Sequence, residues 1–180
     1  MIRRINFLGG PGVGKSSVSA FLFSKLKRQG VEIELIQEYA KEWAYEKRDI
    51  NEYDQLALFS TQLSREYRIL KNSPTSLVIC ESPTILTIPY AKRYNFPCVE
   101  SLWEIESMFE KEYPSINIFL KRNDCPYNEM GRYEDHKMAK RMDNLILDFL
   151  KKYLVVYFEI DYNDYDEVYN IVNGFIGDRK

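Results

Sequence analysis

At 180 residues, with 45% hydrophobic and 29% charged residues, the chain is expected to form one domain over 1–180 with a substantial core, not a disordered segment. Its formal net charge of −2 gives no global reason to expect a nucleic-acid partner, and no apolar run reaches 18 residues, which argues against a membrane span. The three scattered cysteines (Cys80, Cys98, Cys125) and the single histidine (His136) form no zinc or disulfide framework and fit a reducing cytoplasm. Met1 leads through Arg3 and Arg4 straight into a strand pattern, so no secretory leader is expected.

The first strand is expected at about 4–8, "RINFL", followed by "GGPGVGKSS" and a helix with apolar periodicity over about 16–28. Gly9 to Ser16 reads G-x-x-x-x-G-K-[ST], and the strand–loop–helix context makes it a phosphate-binding P-loop. The backbone N–H groups of Gly9, Gly10, Pro11, Gly12, Val13 and Gly14 (proline excepted), with those of Lys15, Ser16 and Ser17, are expected to surround the phosphates of ATP at the positive end of the helix. Small residues at Gly10, Gly12 and Gly14 leave that approach open. Lys15 is expected to reach the outer phosphates, and Ser16 to offer an oxygen to Mg²⁺.

Gly30 closes the helix, and 31–36 reads as a second strand ending in "QEYAKEW", which carries Glu38. A short helix follows, then a long one over about 52–71, with Asn51 and Asp54 as its capping residues and Leu56, Phe59, Leu63 and Leu70 on one face. Pro74 precedes "SLVIC" at 76–80, a continuous apolar run suited to a buried parallel strand, and Glu81 follows it directly. Further helices are expected after Pro83 to about Tyr94 and over 101–112, the latter opened by a Ser101–Glu104 capping box. A fourth strand at 116–120 leads into "KRNDCPYNEMGRYED", then a helix over about 135–153, a fifth strand at 155–160 and a last helix capped by Asp164 and Glu167. Alternating strands and helices mean an α/β fold, a parallel sheet covered on both faces.

Ligands sit at the carboxyl edge of such sheets, which places two acids there. Glu81 stands where a carboxylate lies beside Mg²⁺, with Ser16 as the other metal-side residue; Glu38 follows the second strand. Either is a candidate to deprotonate an attacking hydroxyl. The polar segment at about 122–135 has the character of a closing lid, and Arg132, Arg141 and Arg122 are its candidates to neutralise a moving phosphoryl group. No N-K-x-D or D-x-x-G pattern marks a GTPase.

These motifs together resemble the small P-loop ATPase/kinase family that includes the nicotinamide-riboside kinase domain of NadR-type proteins. More distantly, the chain resembles deoxynucleoside and thymidylate kinases. The resemblance rests on the glycine loop, Glu38-Tyr39-Ala40, Tyr53-Asp54 with Gln62, Glu81 with Thr84, Pro126-Tyr127, Gly131-Arg132, Arg141, and Asp161-Tyr162 or Asp164-Tyr165. Where NadR-type kinases carry Asp-x-Asp, this chain has Glu81-Ser82-Pro83. The resemblance implies a five-stranded sheet in the order 2-3-1-4-5, Mg-ATP as donor and a nucleoside-like small-molecule acceptor. The acceptor is expected near Glu38, Tyr39, Trp43, Glu81 and residues 90–93, and a monophosphate acceptor requires Lys92 or Arg93 to hold its charge. A switch-type ATPase and a polynucleotide 5′-kinase stay open as alternatives, as does a homodimer.

Overall fold

A computed structural model describes residues 2–73 and 77–177. Its elements run β1 (Arg4–Leu8), α1 (Lys15–Arg28), β2 (Ile33–Ile36), α2 (Ala40–Tyr45), α3 (Asp54–Asn72), β3 (Leu77–Cys80), α4 (Thr84–Arg93), α5 (Val99–Glu112), β4 (Ser115–Lys121), α6 (His136–Lys152), β5 (Phe158–Asp161) and α7 (Tyr165–Gly177). The strands form one parallel sheet in the order β2-β3-β1-β4-β5, with β1 central between β3 and β4. Pro74 and Ser76, expected before and at the start of β3, lie outside the described residues.

Side chains of β1 alternate between two cores, as the two-residue strand period requires. Ile5 and Phe7 pack with Val18, Leu22 and Leu26 of α1 and with Val168 and Val172 of α7. Leu8 turns to the other face, where Phe59, Ile85, Leu86, Ile88, Phe119, Ile146 and Phe149 pack together. Arg4 on that second face is fully buried, and three carboxylates hold it: Glu66 at 2.9 Å, Glu106 at 3.1 Å and Glu110 at 2.6 Å. Burial of a guanidinium is sustained only by such pairing.

Several boundaries depart from expectation for local reasons. The apolar run before β5 is partly spent on a turn: Leu154 has φ +53°, and Leu154 and Val156 are exposed. The α5 helix starts at Val99, so Ser101 and Glu104 lie inside it and form no capping box. Asn51 does donate its backbone N–H to Asp54 Oδ2 (2.8 Å) ahead of α3, but Leu56 is 47% exposed and Leu58 is the buried residue of that turn. At α7, Asp164 Oδ1 accepts from the Glu167 N–H (3.0 Å), as the sequence suggests.

Candidate active site

The glycine loop leaves the carboxyl end of β1, and Val13 pins it by inserting into the core of the α1 face. Lys15 is buried and donates to the carbonyls of Gly9 (2.9 Å) and Gly10 (3.0 Å). Burial lowers the pKa of its ammonium, against the opposing pull of Glu38, Glu81 and Asp143. Both strand-end acids thus act on the loop lysine.

Glu81 is buried at the end of β3, its backbone N–H donating to Ile36 O (3.0 Å), and its Oε1 accepts the hydroxyl hydrogen of Ser16. This hydroxyl–carboxylate pair is a hard-oxygen donor set and fits Mg²⁺, which takes one or two protein ligands and completes its shell with phosphate oxygens and water. No cluster of three or more His, Cys, Asp or Glu suited to a metal occurs among the described residues.

The loop is held from the far side by a clamp. Arg122, buried at the end of β4, pairs with Asp143 of α6 through Nε (2.6 Å) and donates through Nη2 to Pro11 O (2.8 Å). Asp143 Oδ1 in turn accepts the Gly10 N–H at 2.7 Å. Glycine at position 10 therefore answers to helix packing as much as to phosphate: a Cβ there would stand 2.6 Å from both Ala139 O and Asp143 Oδ1. At Gly12, where φ is +76°, a Cβ would meet the Tyr127 ring at 2.6 Å.

The lid segment runs over this loop. Tyr127 stacks on His136 with ring centroids 5.2 Å apart, and Asp135 caps α6 by accepting from the Met138 N–H (2.7 Å). Arg132 is oriented by Nε donating to Asn128 O (2.7 Å), and its guanidinium carbon stands 3.6 Å from where a Cβ of Gly12 would lie. The lid then reaches α2: Gly131 sits against the Tyr45 ring, and the Tyr133 hydroxyl donates to Arg48 O (2.7 Å). Together the loop, the strand ends and the lid line a cavity of about 600 Å³, within the size range of small-molecule sites.

Among the residues expected at the site, Pro11, Gly12, Gly14, Lys15, Ser16, Ser17, Glu38, Glu81 and Arg132 line this cavity. Arg141 does not: it is exposed on α6, and Asp143 is the residue of that helix that meets the loop. Trp43 is buried beneath the Arg48 guanidinium (3.5 Å to the ring centroid) and outside the lining, as are Tyr39, Lys92 and Arg93. Thr84 spends its N–H (2.7 Å) and hydroxyl (2.9 Å) on Glu66 Oε1. Of the two acid–tyrosine pairs, both tyrosines, Tyr162 and Tyr165, border the cavity, while Asp161 pairs with Lys121 (2.9 Å).

Sequence reasoning passed over three side chains that the fold brings here. Gln55 of α3 is only 2% exposed and lines the cavity. Glu134, at the end of the lid, is buried, lines the cavity and stands 3.6 Å from Arg93. Burial raises the Glu134 pKa, with Arg93 opposing. Asp143 is the third, and only its i+4 relation to Ala139, which packs on Gly10, could have pointed to it.

A family model described as an AAA domain matches residues 4–167. No curated protein matches the chain. Among solved structures it is similar to the NadR protein in complex with NAD and AMP-PNP, with a TM-score of 0.70 and 16% identity over 98% of this chain and 50% of that one. It is similar to the NadR protein in complex with NR, with a TM-score of 0.69 and 17% identity over 98% of this chain and 52% of that one. It is also similar to thymidylate kinase from Ehrlichia chaffeensis, with a TM-score of 0.69 and 18% identity over 97% of this chain and 98% of that one. The chain spans about half the length of the NadR protein, and at these identities the likeness is one of fold.

Proposed function

The chain belongs to the AAA domain family, and on that premise we propose that it is a phosphotransferase, moving the γ-phosphoryl group of Mg-ATP to a hydroxyl of a nucleoside, nucleotide or similar small acceptor. One observation carries the reading: one cavity joins the phosphate-binding loop to the two strand-end acids beside an arginine-bearing lid. Hydrolysis alone needs no second compartment beside the phosphates, whereas transfer to a hydroxyl needs room there to hold and orient the acceptor. A cavity of about 600 Å³ whose lining includes Glu38, Glu81 and Glu134 also suits a small molecule better than a polynucleotide, which would need an open basic channel. The fold likeness to a protein solved with AMP-PNP and to a thymidylate kinase is consistent with this chemistry.

In this reading Lys15 and the loop N–H groups hold the donor's phosphates, and Arg132 meets the charge on the transferred group from the lid. Ser16 and Glu81 would hold Mg²⁺, which supplies charge neutralisation between the outer phosphates. Glu38 makes no hydrogen bond to a described residue and faces the cavity, so it takes the acceptor's proton. The acceptor oxygen bonds to the γ-phosphorus as the bond from that phosphorus to the bridging oxygen breaks, and ADP leaves.

The test is a panel of nucleosides, nucleoside monophosphates and short 5′-hydroxyl oligonucleotides incubated with γ-labelled ATP. Label in a small acceptor, abolished with ATP binding in Lys15→Ala, supports the reading. ATP hydrolysis with no labelled acceptor points to a switch-type ATPase instead.

A further inference from the structure

The turn between β3 and α4 carries Glu81, and its two ends are held by different means. At the first end Glu81 is fixed directly, by its N–H on Ile36 O (3.0 Å) and by the Ser16 hydroxyl on its side chain. At the second end α4 begins at Thr84, behind Pro83, and no side chain of the turn itself caps the helix. The first N–H groups of a helix need acceptors, and in a buried place water does not supply them. Thr84 is fully buried. Its acceptor comes from 18 residues earlier in the chain: Glu66 of α3 takes the Thr84 N–H at 2.7 Å and the Thr84 hydroxyl at 2.9 Å, both on Oε1.

Glu66 can act there because Arg4 balances its charge. The Glu66 side chain is fully buried, where an unpaired carboxylate would be strongly destabilising. Its Oε2 meets Arg4 Nη1 at 2.9 Å, so the two oxygens are divided, one to β1 and one to α4. The charge also lies at the amino end of α4, which favours an anion. Of the three acids around Arg4, Glu66 is the one bonded to this turn; Glu110 instead accepts from the N–H and the hydroxyl of Ser115 at the start of β4, both at 2.8 Å. Neither Glu66 nor Thr84 lines the cavity, so what they contribute to the site passes through the turn.

We propose that Glu66 is a positioning residue for the metal-side pair: by tying the start of α4 to Arg4, it sets the turn from which Glu81 reaches Ser16. The inference rests on the reading above that Ser16 and Glu81 hold Mg²⁺, and it adds what keeps the two in register. The connection is short. Thr84 follows Glu81 by three residues, and Pro83 between them has its φ fixed at −66°. A turn with so little slack does not shift at Thr84 without moving Glu81.

Titration calorimetry of AMP-PNP into the whole chain over a series of Mg²⁺ concentrations tests this, with urea denaturation alongside. Thr84→Val removes the hydroxyl bond and keeps the side-chain shape. It is expected to raise the Mg²⁺ concentration for half-maximal AMP-PNP binding about three- to tenfold, the scale of one hydrogen bond. Thr84→Ser keeps the hydroxyl and is expected to match the native chain. Glu66→Gln keeps an acceptor oxygen without the charge and is expected to raise the requirement about threefold or more. The two changes combined should raise it by less than the product of their separate effects, because they weaken one link. Glu110→Gln is the control: it removes a partner of Arg4 away from the turn and is expected to lower the urea midpoint with the native Mg²⁺ requirement. Lower urea midpoints in Thr84→Val and Glu66→Gln with an unmoved Mg²⁺ requirement overturn the proposal, as does an equal shift in Glu110→Gln. Should Glu66→Gln fail to fold, Thr84→Val against Thr84→Ser decides alone. AMP-PNP binding indifferent to Mg²⁺ in the native chain overturns the metal-side pair and this inference together. The kinase reading is separable, since these measurements need no acceptor. Label transfer with an unmoved requirement overturns this inference alone; a shifted requirement with no label in any acceptor overturns the kinase alone.

Discussion

The Ser16 hydroxyl donates to Glu81 Oε1, joining the second residue of α1 to the residue that directly follows β3. Two elements that are neighbours only across the parallel sheet therefore meet at one oxygen pair, beside the lysine that closes the glycine loop. Both acids line the cavity, but Glu81 is engaged by Ser16 whereas Glu38 makes no hydrogen bond to a described residue, and the proposed reading divides the labour between them on that ground.

That division predicts different kinetics for the two carboxylates. Glu38→Gln should lower kcat about 10²–10⁴-fold with little change in ATP affinity, the scale of a lost general base. Glu81→Gln should instead raise the Mg²⁺ concentration needed for half-maximal rate. Steady-state kinetics over a Mg²⁺ titration separate the two; identical profiles for both variants would contradict the assignment.

Arg132 and Arg141 should behave oppositely. Arg132 is held over Gly12 by Asn128, whereas Arg141 is exposed on α6 and away from the cavity lining. Arg132→Ala should cost about 10³-fold in kcat, in the range of arginines that stabilise a transferring phosphoryl group. Arg141→Ala should stay within about twofold, since surface substitutions rarely matter. A large loss of kcat in Arg141→Ala would mean that α6 moves during turnover.

How much of this was legible beforehand follows distance along the chain. Lys15, Ser16 and Glu81 are fixed by local context, a strand end or a strand–loop–helix unit, and the sequence carries that context within a few residues. On α3 periodicity selected Phe59 and Leu70 correctly but also Leu56, which is exposed, while the inward positions of the first turns are Gln55 and Leu58. Gln55, Glu134 and Asp143 were invisible for a different reason. Each is a polar residue whose role depends on which cavity or loop a distant element brings alongside, and no local spacing encodes that. The arginine on α6 drew attention by its charge; the acid two positions later is the one in contact.

The Arg122–Asp143 clamp should matter to stability as well as to nucleotide binding. Both side chains are largely buried, with relative exposures of 6% and 14%, and removing one partner leaves the other charge uncompensated. Asp143→Ala should therefore destabilise the fold by about 3–5 kcal/mol, the scale of a broken buried pair. It should also loosen the loop through loss of the Gly10 N–H acceptor. Urea denaturation gives the first quantity and AMP-PNP affinity the second; a stable variant with weakened nucleotide binding would mean that the clamp serves the loop alone.

The buried cluster around Arg4 predicts the direction in which stability responds to pH. Burial raises the Glu106 pKa to about 8, with Arg4 opposing and Glu66 and Glu110 reinforcing the rise. Its Oε2 is buried without a partner, which suits a protonated carboxyl. The folded-state value lies above the ordinary 4.5 of the unfolded chain, so between those two values the native state binds the proton and the unfolded state does not. The contribution of this group is therefore fully present below about 4.5, declines as pH rises toward about 8, and levels off above it. Glu106→Gln keeps the shape of the protonated form and removes that dependence. Its stability relative to the native chain should be near parity at pH 5 and clearly higher at pH 8.5, measured by urea denaturation at both values. A difference that is the same at both pH values would show that Glu106 is ionised throughout, with Arg4 compensating its charge in full.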